Sequence, residues 1–368
     1  MFYLLYDYTT KGEADRMRLR TLATGAAFVL VPLTLIVFLL IFIGRIDPAG
    51  ALDRDPEQEG LEAILTLRMS HVVAENTPKG QAARYFARRA AELSGGRIRV
   101  EVFPNGALFS DISELDALRR GDVDLIAPAA SNWTDRYIEW QVLDLPFIFR
   151  DLDDLNAVLN GPLGTLLKEA PERDGLRTLL FWHSGLKQIT TNVRPVLWPE
   201  DFRGLVFRRM QSSTIARYLE LLGARTVPAP FNQTFPLLEK GVVNSEENTL
   251  TNIYSKKFYT VQTDLTLSDH GYLGYPVLVN DAFWRRLPPD DRAILLKALE
   301  EAGAYELRLI RELEARALKE MAASGLRIHR LTADERTAWE QAVAPLYDEV
   351  AVRMPPPLRA FVEARKPR

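Results

Sequence analysis

From Leu22 to Ile43 the chain reads LATGAAFVLVPLTLIVFLLIFI, without a single charge. About 20 such residues cross the apolar core of a bilayer as a helix. The run has no polar face, so it does not suit a helix half-buried in a globular core. Pro32 is compatible with a membrane helix. Lys11, Arg16, Arg18 and Arg20 precede the run, and Asp47, Asp53, Asp55, Glu57 and Glu59 follow it. The basic side sets the orientation and leaves the N-terminus in the cytoplasm. The expected organisation is therefore a cytoplasmic stretch over 1–21, a transmembrane anchor over 22–43, and an acidic linker over 46–63. The body beyond it folds outside the cytoplasm. Ala49-Gly50-Ala51 fits a signal-peptidase site, so a cleaved, released form is the competing expectation.

Composition excludes several functions. The net charge is −3 and basic runs are short, which does not suit binding to nucleic acid. There is no cysteine, so disulfides, thiolate nucleophiles and cysteine-ligated metals are excluded. His71, His183, His270 and His329 lie far apart, without the close spacing of a helical metal site. No phosphate-binding loop, dinucleotide fingerprint or hydrolase nucleophile motif is present, so no cofactor, metal or catalytic residue is assigned.

The body reads as repeated α/β units. Ile64 to Ser70 is a predicted strand. Pro78 opens a helix that Gly95-Gly96 closes, and Ala82, Tyr85, Phe86, Ala90 and Leu93 form its apolar stripe. Arg97 to Phe103 alternates as a strand, Asn105-Gly106 turns, and a helix near Ser113–Arg120 leads to a strand over Val123 to Ala127. A second set follows: strands at Leu176 to Trp182, Gln188 to Asn192 and Leu205 to Met210, then a helix from Ser213 to Leu222. Pro289 to Ser324 reads as one long helix ending at Gly325. The β-α-β order argues for an α/β fold with a largely parallel sheet. Two such sets argue for two lobes, one over 64–185 plus about 274–312, the other over 186–273 plus about 313–368.

The stretches HVVAENTPKG, SGGRIRVEVFPNGALF, VLDLPFIFRD, SGLKQITTN, PEDFRGLVFRRM, LLGARTVPAP and GVVNSEENTLTNIYSKKFYTVQTDLTLSDHGY occur in that order, followed by VNDAFWRRLP. Together they resemble the solute-binding proteins of TRAP (tripartite ATP-independent periplasmic) transporters. The resemblance implies a two-lobed clamshell with a long crossing helix. It implies capture of a small carboxylate and delivery to a small and a large membrane subunit. A membrane-anchored sensor on the same fold and a periplasmic enzyme are the competing readings.

The resemblance also implies site residues. Arg208, at the strand end after Pro199-Glu200-Asp201, matches the arginine that pairs with the ligand carboxylate; its planar fork suits two carboxylate oxygens. Glu247-Asn248 matches a polar contact motif. Lys187 matches a position more often arginine, and an ammonium cannot fork as a guanidinium does. In Phe231-Asn232-Gln233-Thr234-Phe235, Gln233 and Phe235 stand where the family more often has an acid and a tyrosine. From the residues themselves, Asn132 and Trp133 follow a strand end where α/β crevices form. Trp133 either stacks on ligand or plugs the core. His71 either faces the cleft or is structural. Glu246 and Glu247, as strand neighbours, point to opposite faces.

Overall fold

The computed structural model describes residues 64–367. The apolar run and the linker lie outside the described residues. Among the described residues no helix is long and apolar enough to cross a membrane.

Three parallel strands open the body. β1 (Leu65–Ser70) pairs with β2 (Ile98–Phe103) and with β3 (Leu125–Ile126). Between β1 and β2 lies α1 (Pro78–Leu93). It starts where the sequence predicts: Thr77 Oγ1 accepts from Gly80 N at 3.1 Å, and Pro78 takes the first turn, where no N–H is needed. α2 (Glu114–Arg120) ends at Gly121 in the left-handed conformation, φ 81°. α3 (Leu152–Leu159) and α4 (Pro162–Glu169) then lead to β4 (Leu176–Thr191).

A second parallel group lies beyond β4: β5 (Val206–Arg209) pairs with β6 (Arg225–Pro228) and with β7 (Ser245–Thr249). Its helices are α5 (Ser213–Leu221), α6 (Thr234–Glu239) and α7 (Leu250–Ser255). The groups are joined by β4 and β8 (Asp264–Asn280), two long antiparallel strands. The sheet order is β2-β1-β3-β8-β4-β7-β5-β6, with β9 (Arg327–Arg330) on β8. The sheet is thus parallel at both flanks but antiparallel at its centre, which corrects the largely parallel expectation.

A second correction concerns β4. The sequence suggests separate strands at Leu176 to Trp182 and Gln188 to Asn192; the structure has one strand of 16 residues. Its register shifts at Thr178/Leu180, His183/Gly185 and Lys187/Ile189. Gly185 sits at φ 111°, which a side chain would strain. The irregularities look like a break in sequence, but pairing with β8 carries through them.

After α8 (Asp281–Arg286) comes α9 (Pro289–Ala323), 35 residues long and about 50 Å by its helical rise. Leu295, Leu299, Ala302, Ile310, Ala317 and Met321 form its buried stripe. Near its start Arg89 of α1 pairs with Glu301 at 2.6 Å, and Tyr85 stacks on Tyr305. At its middle the buried Glu306 accepts from His183 N of β4 at 2.8 Å. Near its end Glu320 accepts from Tyr254 of α7. One helix therefore touches both parallel groups and the pair between them, as the crossing-helix expectation requires. α10 (Ala333–Ala351) starts at a capping box of Thr332 and Glu335, and α11 (Pro356–Ala364) ends the described chain.

Candidate functional site

The carboxyl ends of both parallel groups face one narrow pocket of about 20 Å³. Val72 and Val73 reach it from the end of β1, and Ala129 from beyond β3. Arg208 and Met210 come from the end of β5, Phe231 from beyond β6, and Asn248 from β7; Asp111, Asn252, Leu273 and Tyr275 complete it. Ligands of open α/β sheets gather outside such strand ends.

Arg208 is the residue the sequence analysis singled out, and it lines this cavity at 2% exposure. Its Nε and Nη2 both donate to Ala229 O, at 3.0 and 2.6 Å. Among the described residues it makes no ion pair, and burial pushes its pKa below the usual arginine value. A buried guanidinium without a bound anion is costly. Asn248 also lines the cavity. Its Oδ1 accepts from Thr249 N at 3.1 Å and from Asn252 Nδ2 at 2.9 Å, and its Nδ2 donates to Glu246 at 3.3 Å.

Lys187 and Glu247 do not join them. Arg208 stands opposite Glu246 in the β5–β7 register, so Arg208, Glu246 and Asn248 share one face. Lys187 stands opposite Thr249 in the β4–β7 register, on the face that Glu247 shares. There Lys187 Nζ donates to Glu247 Oε1 at 2.6 Å, and His270 Nε2 lies 2.8 Å from Oε2. Lys187 and Glu247 are each 1% exposed at the side chain. Burial raises the Glu247 carboxyl, but Lys187 and His270 outweigh it and hold it at about 2. The pair satisfies itself, away from the cavity. The opposite facing of Glu246 and Glu247 is as expected: burial pushes Glu246 up to about 7, Thr190 bonds it at 2.9 Å, and Arg208 moderates the rise.

The remaining expectations divide. His71 is fully buried directly before Val72 and Val73, outside the cavity lining; burial, with Lys79 nearby, lowers its pKa to about 3 and keeps it neutral. Trp133 is half-buried and packs against the main apolar core. Asn132 is buried beside the cavity in a seam of hydrogen bonds. Its Nδ2 donates to Asp111 at 3.1 Å, and its Oδ1 accepts from Gln211 N at 3.0 Å. Asp111 also accepts from Phe231 N at 3.0 Å. Asp144 accepts from Ser212 Oγ at 2.7 Å, Asp135 from Ser213 N at 3.2 Å, and Asn105 from Lys256 Nζ at 3.3 Å. Apart from the Asn132–Asp111 bond, each joins a residue before β4 to one after it, so hydrogen bonds cross the chain beside the pocket.

Sequence reasoning missed Asp111, Asn252 and Tyr275 as cavity residues. Only the tertiary fold brings them there. Among the described residues no group of three or more His, Asp and Glu is placed to hold a metal.

A pocket at the strand ends of two parallel-stranded groups, where a buried arginine, an aspartate and two amide side chains stand among apolar ones, suits a receptor that captures a small solute. The chain belongs to the bacterial extracellular solute-binding protein family 7, whose model matches residues 69–353. It is 45% identical over 310 residues to the C4-dicarboxylate-binding protein DctB of Bacillus subtilis, covering 83% of this chain and 89% of that one. It is 37% identical over 324 residues to the C4-dicarboxylate-binding periplasmic protein DctP of Rhodobacter capsulatus, covering 88% and 97%. A TRAP periplasmic solute-binding protein of Sulfurospirillum deleyianum, solved with bound succinate, matches with a TM-score of 0.78 and 39% identity over 83% of this chain and 100% of that one. Its counterpart from Pseudomonas aeruginosa, with bound L-malate, matches with 0.73 and 34% over 77% and 99%.

Proposed function

We propose that this chain captures a small C4-dicarboxylate between two lobes and passes it to the small and large membrane subunits of a TRAP transporter. Arg208 grips one carboxylate. The observation that carries this reading is its burial on the cavity wall without an ion-pair partner among the described residues. A carboxylate supplies the missing charge and two oxygens for the guanidinium fork. Asn248 and Asn252 offer amide groups to a hydroxyl or keto oxygen. Lys187 and Glu247 hold the sheet together rather than the ligand. The relatives named for C4-dicarboxylates support the ligand class.

Calorimetric titration of the full chain tests this. Succinate or L-malate should bind at least about tenfold more tightly than galactonate, a gap of roughly 1.4 kcal/mol. Tighter binding of galactonate, or no heat with any of the three, would sink the proposal.

The run Leu22–Ile43 supports a further detail, that the body stays tethered to the periplasmic face of the inner membrane. Full-length protein should then fractionate with that membrane. A mature chain beginning at Leu52 would instead establish cleavage after Ala51.

A further inference from the structure

Lys79 is the second residue of α1, and it is 2% exposed. Its Nζ donates to Ala127 O at 2.8 Å and lies 3.5 Å from the centroid of the Tyr275 ring. Tyr275 itself lines the cavity, as does Ala129, two residues beyond Ala127. The ammonium therefore stands one aromatic ring away from the cavity.

Among the described residues Lys79 makes no ion pair. The acids that act on it are Glu114, Glu306 and Asp111. Burial pushes Glu114 up to about 8 and Glu306 up to about 8, so both are largely neutral at pH 7. Both Glu114 carboxyl oxygens are buried without a hydrogen-bond partner. Asp111, the remaining acid, acts on Lys79 but is held by Asn132 and Phe231 and forms no ion pair with it among the described residues. His71, the nearby imidazole, is neutral as well. The helix adds to the mismatch, because the start of α1 is the positive end of its dipole and disfavours a cation. Burial accordingly lowers the Lys79 pKa to about 8. A buried ammonium in such surroundings is stabilised by an anion brought from outside.

We propose that Lys79 is the second cation of the carboxylate site, that it stabilises the distal carboxylate of the ligand, and that it makes the site select diacids over monoacids. This rests on the reading of the cavity as a carboxylate site. Arg208 recognises one end of the ligand, as any carboxylate requires. Lys79 supplies the preference for a second charge.

The test compares succinate with succinamate, in which a neutral amide replaces one carboxylate at nearly constant shape. Full-length wild type and Lys79→Met are titrated calorimetrically with both. Wild type should prefer succinate by about thirty-fold or more, as expected when a second carboxylate supplies the counter-charge of a buried ammonium. Lys79→Met should lose most of that preference: succinate weakens while succinamate stays within about threefold. Lys79→Gln keeps a neutral donor for Ala127 and carries the same comparison should the methionine variant not fold. Equal affinities in wild type would overturn the role of Lys79 and leave that of Arg208 standing. So would a variant that keeps the full preference, or one that weakens both ligands together as a merely structural lysine would. If wild type bound neither ligand, the carboxylate reading itself would fall.

Discussion

Arg208→Ala should weaken a cognate dicarboxylate by about thirty-fold to a thousand-fold, roughly 2–4 kcal/mol. The mutation leaves a carboxylate facing a buried cavity without its charged fork. That loss exceeds the mean for a neutral hydrogen bond. Arg208→Lys should recover only part of it, because an ammonium restores attraction without two parallel N–H groups. Arg209→Ala is the control. Its side chain turns the other way, donating to Thr226 Oγ1 at 3.2 Å and Met210 O at 2.8 Å, and it does not line the cavity. Its loss should leave affinity nearly normal. Calorimetric titration of the three variants against succinate, with circular dichroism confirming the fold, provides the measurement. Lost affinity in Arg209→Ala with normal binding in Arg208→Ala would reverse the assignment of faces on β5.

Glu247→Ala should cost stability rather than affinity, by about 3–5 kcal/mol, the usual loss when one member of a buried ion pair is removed. It strands Lys187 in the interior and removes the partner of His270. Urea denaturation should show the loss as a lower midpoint at similar slope. The effect depends on pH in a fixed direction. The folded Glu247 carboxyl sits at about 2, below its ordinary 4.5. Its contribution is present above about pH 4.5 and disappears as pH falls through about 2. Wild type should therefore lose its advantage over Glu247→Gln across that acid range. If Lys187→Met instead abolished succinate binding at unchanged stability, Lys187 would belong to the ligand site.

The elements that alternate or repeat at helical spacing were legible in the sequence. α1, α2, α5 and α9 begin and end within a residue or two of their capping and glycine signals. β7 was not, although its five residues, Ser245 to Thr249, are all buried. Ser-Glu-Glu-Asn-Thr carries no apolar pattern, and it is a strand because its polar groups find partners on β4 and at the cavity. β4 was misread as two strands for a related reason: Gly185 and its polar neighbours look like a connection until β8 pairs alongside. The site divides in the same way. Arg208 and Asn248 were reachable because a local motif names them. Lys187 and Glu247 look equally suited to an anion or a hydroxyl, but the β4–β7 register alone decides which face they occupy. Asp111 and Tyr275 carry no local signal, because chain segments far apart in sequence bring them to the cavity.

The seam around the cavity has a polarity. In each of the five contacts described, the residue before β4 supplies the oxygen: Asn105, Asp111, Asn132, Asp135 and Asp144. The residue after β4 supplies the hydrogen: Lys256, Phe231, Gln211, Ser213 and Ser212. Thr134 departs from the pattern, its Oγ1 donating to Ser212 Oγ at 3.2 Å. The two edges are therefore matched mainly as acceptor to donor, and a misaligned closure would set acceptors against acceptors and leave donors unpaired.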